Sequence, residues 1–210
     1  MKNKRLFLVC ALICLAGCLA ALGFRRSSSV HAEPMPERAL GEAAAEAAGE
    51  LLDNRGQVLV IAEAAADAVQ NGPAAAFESA LRSKGAVSVA AVERLKPMDR
   101  WLRAKTPGGS SCSAGDFLMA LQKHGQADAV VSFVGFPIGE SAELTALRQR
   151  GCKMIAVFNS SASSELNRAI GNHLVDLAIV LRQDVAPSTD GAAKTARDYF
   201  SRHYMIVKPN

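Results

Sequence analysis

From residue 37 onward, apolar positions recur with a helical period in some stretches and run unbroken in others, and the two kinds alternate. "RALGEAAAEAAGELLDNRG" is made of strong helix formers stopped by Gly56, which predicts a helix over 37–52. "QVLVIAE", 57–63, reads as a buried strand, and "GPAAAFESALRSKG", 72–85, as an amphipathic helix begun by Pro73 and closed by Gly85. "AVSVAAVE" is the next strand, "SAGDFLMALQKHG" a helix with Ser113 as its N-cap, and "DAVVSFVGFP" the third strand. "GESAELTALRQRG" predicts a helix ended by Gly151. "KMIAVFN" is the fourth strand, "SSELNRAIGNH" a helix and "VDLAIVLR" the fifth strand. "TDGAAKTARDYFSRH" closes the pattern with a helix, and "YMIVKP" is an apolar tail able to add a strand. Strands rich in Val, Ile and Ala without strict alternation are buried on both faces, as helices covering a parallel sheet require. The expected fold class is α/β, a three-layer doubly wound parallel sheet, preceded by an N-terminal membrane segment.

That segment is "LFLVCALICLAGCLAALGF", residues 6–24, which carries no charge over about 19 residues, enough to cross a hydrocarbon core. Three fates fit it. "LAGC", ending at Cys18, resembles the bacterial lipobox, although the residues after Cys18 stay apolar. "SVHA" offers small residues for signal-peptidase cleavage after Ala32, with Arg25 and Arg26 unusually placed before the site. An uncleaved single-pass anchor with Lys2, Lys4 and Arg5 inside is the third. All three put the folded part outside the cytoplasm: at the cell membrane if anchored or lipidated, secreted or periplasmic if cleaved. The expected organisation is an anchor or export signal over 1–24, a Ser- and Pro-rich linker over 25–36 and an extracytoplasmic α/β domain over 37–210.

Composition changes this picture little. The net charge of +4 comes from the chain start: without Lys2, Lys4 and Arg5 the remainder has 21 basic against 20 acidic residues. A nucleic-acid partner is therefore not expected. Of five cysteines, Cys10, Cys14 and Cys18 lie in the apolar segment, leaving Cys112 and Cys152. Neither belongs to a CxxC pair or a metal-ligand cluster, so no metal and no cofactor is expected. Cys152 opens an apolar strand and reads as a small buried hydrophobe; a bridge to Cys112 stays open.

Candidate chemistry is sparse. His124 and His173 fall near helix ends, where a basic side chain complements the dipole. "NSSASS" lacks the G-x-S-x-G of a nucleophile elbow, and "TPGGSSCSAGD" lacks the GK[ST] of a P-loop. Glu63 and Glu93 end neighbouring strands but lack polar partners for acid–base work. "RLKPMDRWLRAKTPGG" holds five basic residues against Asp99 and the single Trp. Arg100, Trp101 and Arg103 in it are the residue types that dominate binding hot spots, against the plainer reading of a solvated basic loop. Anionic lipid headgroups are a further partner for it.

Several segments carry a resemblance. "GPAAAFESALRSKGAVSVAAVE", "FLMALQKHGQADAVVSFVGFP" and "KMIAVFNSSASSELNRAIGNHLVDLAIVLRQDVAP" are similar in order to the second, C-terminal lobe of type 1 periplasmic sugar-binding proteins and related ligand-sensing domains. That family closes two lobes over its ligand, and the resemblance here covers one. The other wall then has to come from a partner or a second copy. Where the family has Asn-Asp after the third strand, this chain has Val134 and Gly135; where it has Phe-Asp after the fourth, it has Phe158 and Asn159. Near the fifth strand's end it has Leu181, Arg182 and Gln183. The strand ends imply a ligand edge of Phe136, Asn159, Ser160 and Arg182: an amide and a hydroxyl for a polar group, Arg182 for an anion or carbonyl, and Phe136 for stacking. The expectation is a non-catalytic, membrane-tethered ligand-binding or sensing module for a small polar ligand. Its alternative is an interaction protein of the cell envelope with a vestigial ligand edge.

Overall fold

The computed structural model describes residues 35–64, 72–85, 87–98, 112–137, 141–158, 164–182 and 193–209, all within the unit Glu33–Asn210. Their order is α1 (Met35–Leu51), β1 (Gly56–Glu63), α2 (Pro73–Lys84), β2 (Val87–Leu95), α3 (Ala114–Lys123), β3 (Ala129–Ser132), α4 (Ala142–Gln149), β4 (Lys153–Phe158), α5 (Ser164–Gly171), β5 (Leu177–Leu181), α6 (Ala196–His203) and β6 (Tyr204–Val207). The sheet runs β2-β1-β3-β4-β5-β6. Its first five strands are parallel, and β6 pairs antiparallel to β5 at the edge. The apolar tail thus adds a strand, and the parallel sheet of the sequence reading becomes a mixed one.

The three layers follow from the pleat, because successive side chains of a strand point to opposite faces. Leu59 and Ile61 of β1 enter one core with Phe117 and Leu121 of α3, Leu144 of α4 and Leu166 of α5. Val58, Val60 and Ala62 enter the other with Ala44 and Ala48 of α1 and Phe77 and Leu81 of α2. Burying both faces explains why the strands lack polar alternation. Caps set the helix starts. The Ser113 hydroxyl accepts the Asp116 N–H, as expected, and Ser141 and Thr195 do the same for α4 and α6. The Thr195 cap starts α6 well after the 189 that the pattern predicts.

Two aspartates pin the register at the sheet's N-terminal edge. The Asp128 carboxylate accepts the Gln57 N–H at 2.8 Å, while its own N–H donates to the Gln57 carbonyl at 2.9 Å. Asp176 repeats the arrangement, accepting from Met154 N at 2.8 Å and donating to Met154 O at 2.8 Å. Asp128 thereby ties β3 to β1, and Asp176 ties β5 to β4. Gly56 has φ +111°, and a Cβ there would meet Asp128 Oδ2 at 2.6 Å, so the β1 start needs glycine for both reasons.

Cys112 and Cys152 form no disulfide and are buried in the same core, and burial pushes the Cys152 thiol up to about 11. Neither thiol should react with a thiol reagent in the folded protein at pH 8, and both should react once it is unfolded in denaturant. Fast reaction of either in the folded protein would contradict the packing. Among the described residues no helix is long and apolar enough to cross a membrane. The apolar segment 6–24 lies outside the described residues.

Candidate functional site

In an open parallel sheet, ligands bind beyond the C-terminal ends of the strands. Here β1, β3, β4 and β5 end side by side at Glu63, Ser132, Phe158 and Leu181. β3 and β4 are direct neighbours, as the candidate ligand edge requires.

The β3 corner is built differently from the sequence expectation. The pattern predicts a strand over 128–137, yet the strand ends at Ser132. The Ser132 hydroxyl donates to the Gly135 carbonyl at 2.6 Å, and Gly135 takes φ +83°, turning the chain back. The resulting strap, 133–137, is gripped from α5. Phe136 N–H donates to a carboxylate oxygen of Glu165, and Arg168 Nη2 donates to the Phe136 carbonyl at 3.3 Å. A Cβ on Gly135 would stand 3.0 Å from Glu165 Oε1, so a side chain there would crowd the carboxylate as well as strain the backbone.

Glu165 is 4% exposed. Burial pushes its carboxyl up to about 7, against the opposing pull of the Phe136 N–H and the Arg168 charge. The Arg168 Nε is also buried and finds no hydrogen-bond partner among the described residues. Sequence reasoning missed both residues. A Glu in a first helical turn and an Arg in the last look like partners of the helix dipole, and nothing local shows that the first turn is buried against a loop 29 residues away.

Phe136 is 1% exposed, and its ring packs edge-to-face on Phe117 with centroids 5.6 Å apart. It is a core residue here, which corrects the expected stacking role: the strap turns the ring inward, under α3. Arg182 is exposed at the end of β5, where its Nε donates to the Tyr204 carbonyl at 3.2 Å. β4 separates it from the β3 corner, so Phe136 and Arg182 are not brought together. Asn159 and Ser160, which follow β4 between them, lie outside the described residues. So do Arg100, Trp101 and Arg103.

Glu63 and Glu93 are not register partners. Glu63 registers with Leu95, and Glu93 with Ile61. Glu93 instead accepts from Lys123 Nζ at 2.6 Å and meets His124 Nε2 at 2.6 Å. These two hydrogen bonds hold its carboxyl below the usual range. His124 thus shares the Glu93 carboxylate with Lys123 across the strand-to-helix contact. Among the described residues no group of His, Cys, Asp and Glu is placed to hold a metal ion. A groove of about 650 Å3 opens away from the rim, along α1, α2 and α6, lined by Glu42, Ala43, Ala80 and Phe200 among others. Its walls also carry Arg38, Glu46, Lys84 and Arg197, but it lies in the helix layer rather than at the strand ends, where ligands of open parallel sheets bind, so the strand ends remain the candidate site.

No protein-family model matches the chain, and no curated protein matches its sequence. Solved structures do match. The arabinose-binding protein AraP from Geobacillus stearothermophilus aligns with a TM-score of 0.54 at 14% identity, over 82% of this chain and 61% of its own. A solute-binding protein of an ABC transporter from Burkholderia graminis, in complex with D-arabinose, aligns with a TM-score of 0.54 at 16% identity, over 82% and 59%. A glucose-galactose binding protein from G. stearothermophilus matches more loosely, with a TM-score of 0.46 at 16% identity, over 69% of this chain and 47% of its own. The chain thus spans about half to three fifths of the length of these proteins. Its fold is the α/β fold of this structural class, and it resembles a single lobe of the periplasmic sugar-binding proteins.

Proposed function

We propose that this chain is a non-catalytic ligand-binding module whose site is the rim at the C-terminal ends of β3, β4 and β5. The observation that supports it is the sheet order, which gathers the strand ends on one edge within a fold like that of the arabinose-binding proteins. Asn159 and Ser160 supply an amide and a hydroxyl at the β4 corner, and Arg182 a guanidinium at the β5 corner, suited to a small polar ligand such as a sugar. The 6–24 segment holds the module at the membrane with the domain on the extracytoplasmic side, in a sensing or solute-capturing role. A partner or a second copy supplies the missing wall, since small-ligand pockets bury most of their ligand.

A specific observation favours a second reading, an interaction protein of the envelope with a vestigial edge. The polar groups described at the β3 corner are directed inward, Ser132 to Gly135, and Glu165 and Arg168 to Phe136. In that reading the loop with Arg100, Trp101 and Arg103 carries the contact.

A thermal-shift panel of pentoses, hexoses and small polar metabolites separates the two. A ligand at about 100 times its Kd stabilises the folded state by about 2.7 kcal/mol. Ligand binding then raises the melting point, and Asn159→Ala weakens the response several-fold, as loss of one hydrogen bond worth about 0.5–1.5 kcal/mol requires. A flat response across the panel would favour the interaction reading.

A further inference from the structure

We propose that Glu165 and Arg168 act as a latch that locks the 133–137 strap to α5, and that the latch is tight in mildly acidic medium and slack at neutral pH and above. The geometry carries the first half. The strap has its N–H and its carbonyl at Phe136 held by two side chains of one helix, and a Cβ on Gly135 would stand 3.0 Å from the same carboxylate. α5 is the next helix after β4 in the chain, so these two hydrogen bonds tie the segment that follows β3 to the helix that follows β4.

The chemistry of the carboxylate carries the second half. A buried carboxylate is comfortable while protonated and penalised once ionised, and opening the strap to water relieves that penalty. Arg168, on its own helix, is the charged side chain that acts on Glu165. From the strap Glu165 meets the Phe136 N–H, and the Ser132 side chain of β3, which bonds the Gly135 carbonyl, is uncharged. The sign follows from the raised acid. The closed form, titrating at about 7, holds its proton over the window in which an opened, solvated Glu near 4.5 has lost it. Opening therefore becomes easier as pH rises from 4.5 to 7 and levels off above. The size of the change is set by that difference in pKa. Its bearing on the ligand rests on the rim being the site, as proposed above. The latch itself is read without any ligand, so failure of one leaves the other standing.

The test is amide hydrogen exchange at Phe136 between pH 5 and pH 8, corrected for intrinsic rates, with Ile155 in the middle of the sheet as the reference for whole-domain opening. Phe136 should stay less protected than Ile155, and its protection should fall about tenfold or more across the range. In Glu165→Gln, which keeps an acceptor for the Phe136 N–H but no titrating proton, the profile should be flat. In Arg168→Leu the midpoint should move to higher pH, because the charge that eases ionisation is gone. An unchanged fall in Glu165→Gln, an unmoved midpoint in Arg168→Leu, or a Phe136 amide that opens only together with Ile155 would each overturn the proposal.

Discussion

Phe136→Ala should destabilise the domain by about 3–5 kcal/mol, the range for deleting a fully buried phenyl ring and leaving a cavity. The side chain is 1% exposed and fills the core beneath the strap, edge-to-face with Phe117. Truncation forfeits the aromatic pair as well as the transfer of the ring from water. Urea unfolding measures this directly: the midpoint should fall with the slope unchanged. A ring that stood on an open rim would behave differently, lowering ligand affinity while leaving the midpoint near the wild-type value.

Gly41→Ala should also destabilise, by about 1–3 kcal/mol, the usual cost of forcing an extra methyl into a packed interface. The sign is the informative part, because at an exposed helix site the same change stabilises by roughly 1 kcal/mol. Gly41 lies in α1 against the start of α2. A Cβ there would stand 2.5 Å from the Pro73 carbonyl oxygen, 2.6 Å from Ala76 Cβ and 2.7 Å from the Phe77 amide nitrogen. Two of these are backbone atoms, which cannot swing aside as a flexible side chain would. Gly171 at the end of α5 is the control: a Cβ meets nothing within 4 Å there, so Gly171→Ala should be neutral or slightly stabilising. Equal midpoint shifts for the two variants would contradict the close α1–α2 approach.

The fold was legible because its signals are local. Pro73 and Gly85 bracket α2, Ser113 caps α3, and the Val- and Ile-rich runs mark strands buried on both faces. The site was legible only as an address. Where strands end follows from the pattern, but which way a side chain turns after a strand depends on what packs there. Phe136 reads as a rim aromatic until α5, from beyond the next strand, grips its backbone and turns the ring into the core. Asp128 and Asp176 read only as polar residues at the starts of strands, and their carboxylates prove to set register between strands distant in sequence. Each missed role rests on a contact between segments tens of residues apart.

The central claim is that ligand binds at the strand-end rim. Backbone amide chemical shifts of the 15N-labelled protein, followed as the strongest thermal-shift hit is added to saturation, test it most directly. The predicted result is that the largest changes fall at the ends of β3, β4 and β5, including Phe136, Asn159, Ser160 and Arg182. Changes confined to Ala43, Ala80 and Phe200, along the groove of α1, α2 and α6, would contradict it.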